Sequence, residues 1–493
     1  MSTETSGSHA KPLYQPISGG ADIGGTDNNN NDNDSDVELN DLRTSLDTAF
    51  EIDNEEGEPS ETGNSSMRMA FMNMANSILG AGIIGQPFAF KNAGLIGGIL
   101  VMIVLAFLID WTLRLIVINA HLSNTRSYQD TAYRCFGIKG KIVLSLSISS
   151  FAYGGCMAFC VIIGDTIPHV LKAFIPESVT GEDSPLHWLF HRNTIIVIFT
   201  TCISYPLSLN KDISKLAKAS GFALIGMLII TIITIIRAPF VDNSLRKPLT
   251  KSDWTFNSRI FQAISVVSFA LVCHHNTIYI YNSMRNASLS KFSKLTHIAC
   301  VVSMICCATM GINGFVNFGS VVKGNVLNNF KSDDELVNIA RFCFGLNMLT
   351  TFPLEIFVVR DVLKDAILSI KHGGGSTAHI DLTSKQHFFL TTGLVLTSML
   401  VSLFTCNLGI ILELIGATSA SLMAYILPPM CYLKLSYDEQ KTVKGLKKKD
   451  FILKKVLPSV GCIIFGFSIM FVSSFMSIRA GMKSDGDTHC VVD

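Results

Sequence analysis

The amino-acid sequence predicts an all-α polytopic membrane protein, and three observations carry that prediction. Hydrophobic residues fill 48% of its 493 positions and charged residues only 16%, against roughly 25% charged in an average soluble chain. Mean hydropathy is +0.41. From Arg68 onward apolar stretches follow one another, so the apolar excess has to face lipid instead of lining several small cores. The formal net charge of +1 argues against a nucleic-acid binder, which would carry a basic face.

The first 66 residues are a different kind of polymer. An Asn-rich tract at 28–33 and an acidic run at 51–61 leave too little apolar surface to offset chain entropy, so residues 1–66 read as a disordered acidic tail. No apolar signal segment opens the chain. Tyr14-Gln15-Pro16-Ile17 has the Tyr-x-x-apolar form that sorting adaptors read.

A helix needs roughly 20 apolar residues to cross the hydrocarbon core. On that measure the transmembrane domain, 67–480, holds about eleven spans: 68–91, 95–119, 142–167, 193–209, 216–236, 261–281, 295–318, 336–359, 388–406, 408–433 and 456–478. The fourth is short. The run through Cys406-Asn407-Leu408-Gly409 is too long for one crossing and predicts a tight hairpin. Residues 481–493 form a short final tail.

Lys and Arg collect in cytoplasmic loops. With the N-terminus cytoplasmic, the cytoplasmic loops hold Arg126, Arg134, Lys139 and Lys141, then Lys211, Lys215 and Lys218, then Arg285, Lys291 and Lys294. The later ones hold Arg360, Lys364, Lys371 and Lys385, and the lysines from Lys434 to Lys455. One loop disagrees, because Arg237, Arg246, Lys247, Lys251 and Arg259 fall outside. An odd span count then makes the C-terminal tail extracytoplasmic.

The thirteen cysteines lie mostly inside apolar stretches, and no CxxC pair is present. They read as small apolar helix residues, neither a disulfide framework nor a metal site. The sequence calls for no cofactor.

The most informative segment runs from Met72 to Pro87. Asn76 and Ser77 precede Gly80-Ala81-Gly82, and Gly85 and Pro87 follow, all within one span. Irregular backbone at membrane depth survives only when buried in protein or lining a polar cavity. A broken helix aims free N–H groups at an anion and free carbonyls at a cation, which suits the two charges of an α-amino acid. The competing reading is a small-residue packing surface between helices. Five spans later a polar cluster interrupts Ser268-Phe269-Ala270-Leu271-Val272-Cys273-His274-His275-Asn276-Thr277, where an inverted repeat would place a second break.

These residues resemble the amino acid/auxin permease family, in particular its fungal vacuolar and sodium-coupled neutral amino-acid branches. The motifs are Asn76 to Ile83, Phe269 to His274, Thr351-Phe352-Pro353 with Arg360-Asp361, and Glu413 to Thr418. The resemblance implies a LeuT-like fold, with two inverted five-helix repeats plus one helix. It implies alternating access in a vacuolar membrane (endoplasmic reticulum or plasma membrane being the alternatives), with coupling to a proton or sodium gradient. Substrate contacts are expected at Asn76, Ser77, Gly80, Ala81, Gly82, Phe269, Cys273 and His274. Asn76 and Thr351 match sodium ligands of the sodium-coupled branch, while the fungal likeness favours the proton. A nutrient sensor on the same fold is the alternative. An enzyme is not expected, because no nucleotide-binding loop, HExxH helix or GxSxG elbow appears.

Ionisable groups inside spans are functional candidates. Glu413 is expected to relay a proton or to bond an adjacent helix, and His274 to gate by titration or to bridge helices. Glu355, one turn after Thr351, is expected either to tune the ion site or, as the favoured reading, to sit in a structural ion pair. Asp110 and Arg114 are expected to pair within their helix.

Overall fold

In the computed structural model the described residues are 63, 65–181, 183–210, 220–371, 382–405, 407–442 and 451–483. They belong to the compact unit Glu56–Asp493, and the unit Met1–Glu55 lies outside them. The expectations for the acidic tail, Tyr14, the 211–219 lysines and the final tail therefore fall outside the described residues. The fold is helical. The pairing of Ser65 with Met284 is an isolated bridge, and no strand forms among the described residues.

In chain order the helices are α1 (Met67–Ile78), α2 (Gln86–Ala93), α3 (Leu95–Ser123), α4 (Tyr128–Phe174), α5 (Arg192–Phe199), α6 (Ser220–Arg237) and α7 (Ile260–Leu271). There follow α8 (Thr277–Ser283), α9 (Leu289–Phe318), α10 (Glu335–Lys371), α11 (Ser384–Phe404), α12 (Leu408–Ile415), α13 (Leu427–Thr442) and α14 (Leu457–Lys483). Nine helical stretches among the described residues are long and apolar enough to cross a membrane. The other two expected spans are present but interrupted. The first is split into α1 and α2 around a 3₁₀ turn at Ala81–Gly85. The fourth runs from Arg192 to Ser208 through a π turn at Thr200–Ser204.

Burial separates an inner set of helices from an outer one. The apolar windows of α4, of the α7–α8 span and of the α12–α13 span are each 78% buried, whereas those of α6 and α14 are 28% buried. The outer helices present their apolar surface to lipid. α1 packs against α6, α8 and α9, and α2 against α3, α7 and α9.

Each interruption has a local cause. Ser66 caps α1, its Oγ accepting from Met69 N at 3.3 Å. The helix ends where Gly80 takes φ −61°, ψ −146°, and restarts with Pro87 in the first turn of α2, where its missing N–H does no harm. Gly94, at φ +80°, makes the turn into α3, a conformation few other residues adopt. Between α7 and α8 the chain turns extended at Val272, ψ 116°, with no glycine or proline. Pro353 inside α10 frees the carbonyl of Leu349, and Ser204, at the π turn of the fourth span, donates to it at 3.4 Å. The long apolar run is broken where the sequence placed a hairpin: α11 ends at Phe404 and Asn407 Oδ1 caps α12.

Two faces of the bundle can be told apart by their contacts. On one, which carries the start of α1, Ser65 pairs with Ser283 and Arg285, and Asn282 donates to Arg126 O. On the other, Asn257 N donates to Ala93 O and Lys247 N to Phe318 O. The charge exception of the sequence lies on this second face and has a structural use. Arg237 Nη2 is 2.6 Å from Asp334, and Arg246 donates to the carbonyls of Ala238 and Pro239.

Asp110 and Arg114 do pair, at 2.9 Å, and His297 joins them at 3.0 Å. Glu355 corrects the expectation made for it, since it has no ion pair among the described residues. The eleven described cysteines are all free.

Candidate functional site

One face of α1 is polar. Asn73, Asn76, Ser77 and Gly80 follow at helical spacing and are all partly accessible, while Ala70, Met74 and Ile78 on the other side are buried. Accessible asparagines at this depth mark a crevice, because lipid would not solvate them.

The two breaks meet at this stripe. Asn276 Nδ2 donates to Ser77 Oγ at 2.9 Å and lies 3.0 Å from His275 Nε2. The His275 ring packs 5.4 Å from Phe151 of α4, and Phe151 packs 5.4 Å from Phe269 of α7. A side chain built on Gly80 would meet only the carbonyl of Asn76, at 4.0 Å. Backbone beside open space, two asparagines, a serine and an aromatic wall can hold the charged end of a small zwitterion.

The site residues expected from the sequence fall into two groups. Asn76, Ser77, Gly80 and Phe269 gather around the junction. Ala81, Gly82, Cys273 and His274 are buried. Gly82 packs against α7, where a Cβ would land on Ala270 Cα and Cβ. His274 Nε2 lies 2.8 Å from Thr112 Oγ1 on α3, pointing away from the junction. The sequence reading missed His275, Asn276 and Phe151. The first two stood in the polar cluster already singled out, and only the phase of the chain through the break tells which histidine faces inward. Phe151 carried no signal.

Thr351 donates to the carbonyl and Oδ1 of Asn347 on its own helix, at 2.8 and 3.0 Å. Its lone pairs stay available to a cation. No hydrogen bond joins Thr351 to Asn76 among the described residues.

Glu413, 1% exposed, has a different surrounding. Its Oε1 accepts from Asn92 of α2 at 3.1 Å. Its Oε2 accepts from Gln262 of α7 at 2.9 Å and Ser477 of α14 at 2.7 Å. The carboxylate thus ties the second half of the first span to three other helices, and hydrogen bonds to an ionised group are the strong kind.

Glu413 also borders a cavity of about 900 Å³ on the second face, with Lys91, Asn92, Asp165, Arg259, Gln262 and Asn328. Asp165 in its wall is bonded to Asn328 at 3.0 Å and lies 3.4 Å from Arg192. Lys331, also in its lining, holds the Asp242 carboxyl below the usual range through a hydrogen bond, and Asp242 raises the Lys331 ammonium. None of the expected substrate contacts lines this cavity. The junction and the cavity are therefore separate features: the first carries polar groups beside open backbone, the second the volume.

The family of transmembrane amino acid transporter proteins matches residues 63–479. The chain is 50% identical to vacuolar amino acid transporter 2 of Saccharomyces cerevisiae over 429 residues, 87% of this chain and 86% of that protein. It is 34% identical to putative sodium-coupled neutral amino acid transporter 11 of Mus musculus over 403 residues, 82% and 84% of the two chains. With sodium-coupled neutral amino acid transporter 7 of Danio rerio the identity is 27% over 418 residues, 83% and 88% of the two.

Proposed function

Because the chain belongs to the transmembrane amino acid transporter family, we propose that it is a secondary active carrier that moves amino acids across the vacuolar membrane by alternating access, driven by a proton gradient. The observation that carries this reading is the junction of two broken helices through Ser77 and Asn276, with open space beside Gly80. Discontinuous helices leave unpaired backbone donors and acceptors at membrane depth, where they bind charged groups without the cost of burying a side-chain ion.

In this reading the substrate carboxylate meets the turn that starts α2, and its ammonium meets carbonyls at the breaks and the oxygens of Asn76 and Ser77. His275, Phe151 and Phe269 border the side chain. The cavity beside Glu413 admits substrate from the second face, and the polar stripe of α1 leads to the first. The N-terminus is cytoplasmic, so the second face is luminal. The vacuolar assignment follows the yeast relative at 50% identity.

A sodium-coupled alternative is supported by Asn76 and Thr351, which keep free oxygens, and by the names of the animal relatives. Purified protein in liposomes should exchange amino acids saturably. Binding without exchange would instead favour the nutrient-sensor reading. Protease protection of terminal tags in sealed vesicles tests the orientation, and tags found on one side would sink the odd span count.

A further inference from the structure

Two carboxylates lie inside the bundle close to the elements discussed above, and they differ in what surrounds them. Glu413 is held by three donors from three helices. Glu355, near the middle of the α10 span, is half-buried; it accepts no hydrogen bond from the described residues, and its Oε2 is buried without a donor. A carboxylate with one oxygen buried and without a donor is expensive to ionise. Ionisable groups inside spans persist where they face the bundle interior and serve an ion or proton path.

Glu355 sits on the polar face of α10. Asn347, Thr351 and Glu355 follow at four-residue spacing, which places them one above another. α10 packs along most of α4, and Cys156 of α4 is the titratable neighbour that faces Glu355. The thiol of Cys156 is itself directed at the Phe352 carbonyl, at 4.0 Å. From the fourth span come Thr200 and Ser204, which do not titrate near neutral pH. On its own helix Arg360 is engaged by Ser208 O and Thr391, both at 3.0 Å, and Arg341 by the carbonyls of Leu327, Phe330 and Lys331. No charged side chain of the described residues is in position to neutralise Glu355.

Two residues before Glu355, Pro353 removes a backbone hydrogen bond from α10, and only the 3.4 Å contact from Ser204 replaces it. The helix is weakest at the point where Thr351 and Glu355 stand. A small bend there changes how much water reaches the carboxyl, and with it the ease of ionisation.

We propose that Glu355, and not Glu413, is the residue that takes up and releases the transported proton. It is protonated while its Oε2 is buried as seen here, and it gives up the proton when α10 flexes and the whole carboxyl meets water on the other side. Glu413, its acceptor sites occupied, is a tie between helices. This rests on the proton-coupled reading above.

The test uses full-length protein in proteoliposomes and the radiolabelled amino acid, chosen from a panel, that the wild type exchanges fastest. In wild type a pH gradient alone, without sodium, should drive accumulation. Glu355→Gln should keep exchange, lose its pH dependence and accumulate no more with a gradient than without one. Glu355→Asp should restore part of the gradient response. Glu413→Gln should lower thermal stability while keeping the pH profile. Gradient-driven accumulation in Glu355→Gln with a wild-type pH profile overturns the proposal. So does the loss of exchange in both Glu355 variants at normal abundance, which marks a structural role. A wild type that exchanges amino acids but ignores the pH gradient defeats the proton reading itself, and this proposal with it.

Discussion

The first and sixth spans are both interrupted near the middle of their length, and by opposite means. The first breaks at small residues, Gly80, Ala81 and Gly82, followed by Pro87. The sixth breaks at Val272 and Cys273 and continues through His274, His275, Asn276 and Thr277, all of them polar. The small residues leave backbone beside open space. The polar residues bring the side chains that fill part of it and hold the two breaks together. One break makes room and the other equips it, and a site needs both.

Gly82 and Gly80 allow the sharpest attack on that comparison. Gly82→Val should have the largest effect, because its Cβ would fall on the backbone of Ala270 and neither side can yield. Overpacking of this kind costs about 1–3 kcal/mol or more, so abundance and melting temperature should fall together with flux. Ala270→Gly should recover part of the loss in Gly82→Ala. Normal abundance in Gly82→Val would remove the packing role given to it here. Gly80→Ala, by contrast, meets no steric obstacle, so the protein should insert normally while flux drops by about tenfold, the equivalent of about 1.4 kcal/mol. Wild-type flux in Gly80→Ala would show that substrate does not approach this turn.

The two adjacent histidines sharpen the account of the sixth span. His275→Ala should raise KM severalfold with little change in melting temperature, since the ring borders the junction. His274→Ala should do the reverse, costing about 1 kcal/mol of stability through the lost bond to Thr112. If both variants shift only KM, the phase assigned to this break is wrong. Deleting residues 1–62 should have the smallest effect on transport, because so polar and acidic a sequence offers little apolar surface to a core. Reduced flux from properly inserted truncated protein would contradict this.

The sequence made the spans legible wherever apolar length and loop charge agree, and it marked the first break through its glycines and proline. It also marked the polar cluster of the second break. It could not show which face each of those residues takes. Gly80 and Gly82 look alike in sequence, yet one is open and the other pressed onto Ala270, because the 3₁₀ turn rotates them apart. His274 and His275 differ for the same reason. The first and fourth spans met the length measure in the sequence, but in the structure their helical pieces are cut short by the 3₁₀ turn and the π turn. Glu355 read as half of an ion pair, since sequence shows which charges are near along the chain but not which reach one another across it.

The central claim is that a proton gradient drives amino acids through the junction of the two broken helices. Its most direct test is concentrative uptake by the purified, reconstituted protein from a panel of radiolabelled amino acids, under proton and sodium gradients imposed separately. The account predicts accumulation under a pH gradient in sodium-free medium. Accumulation only under a sodium gradient would contradict the proton claim and transfer the coupling to Asn76 and Thr351, and the absence of any amino-acid flux would contradict the carrier itself.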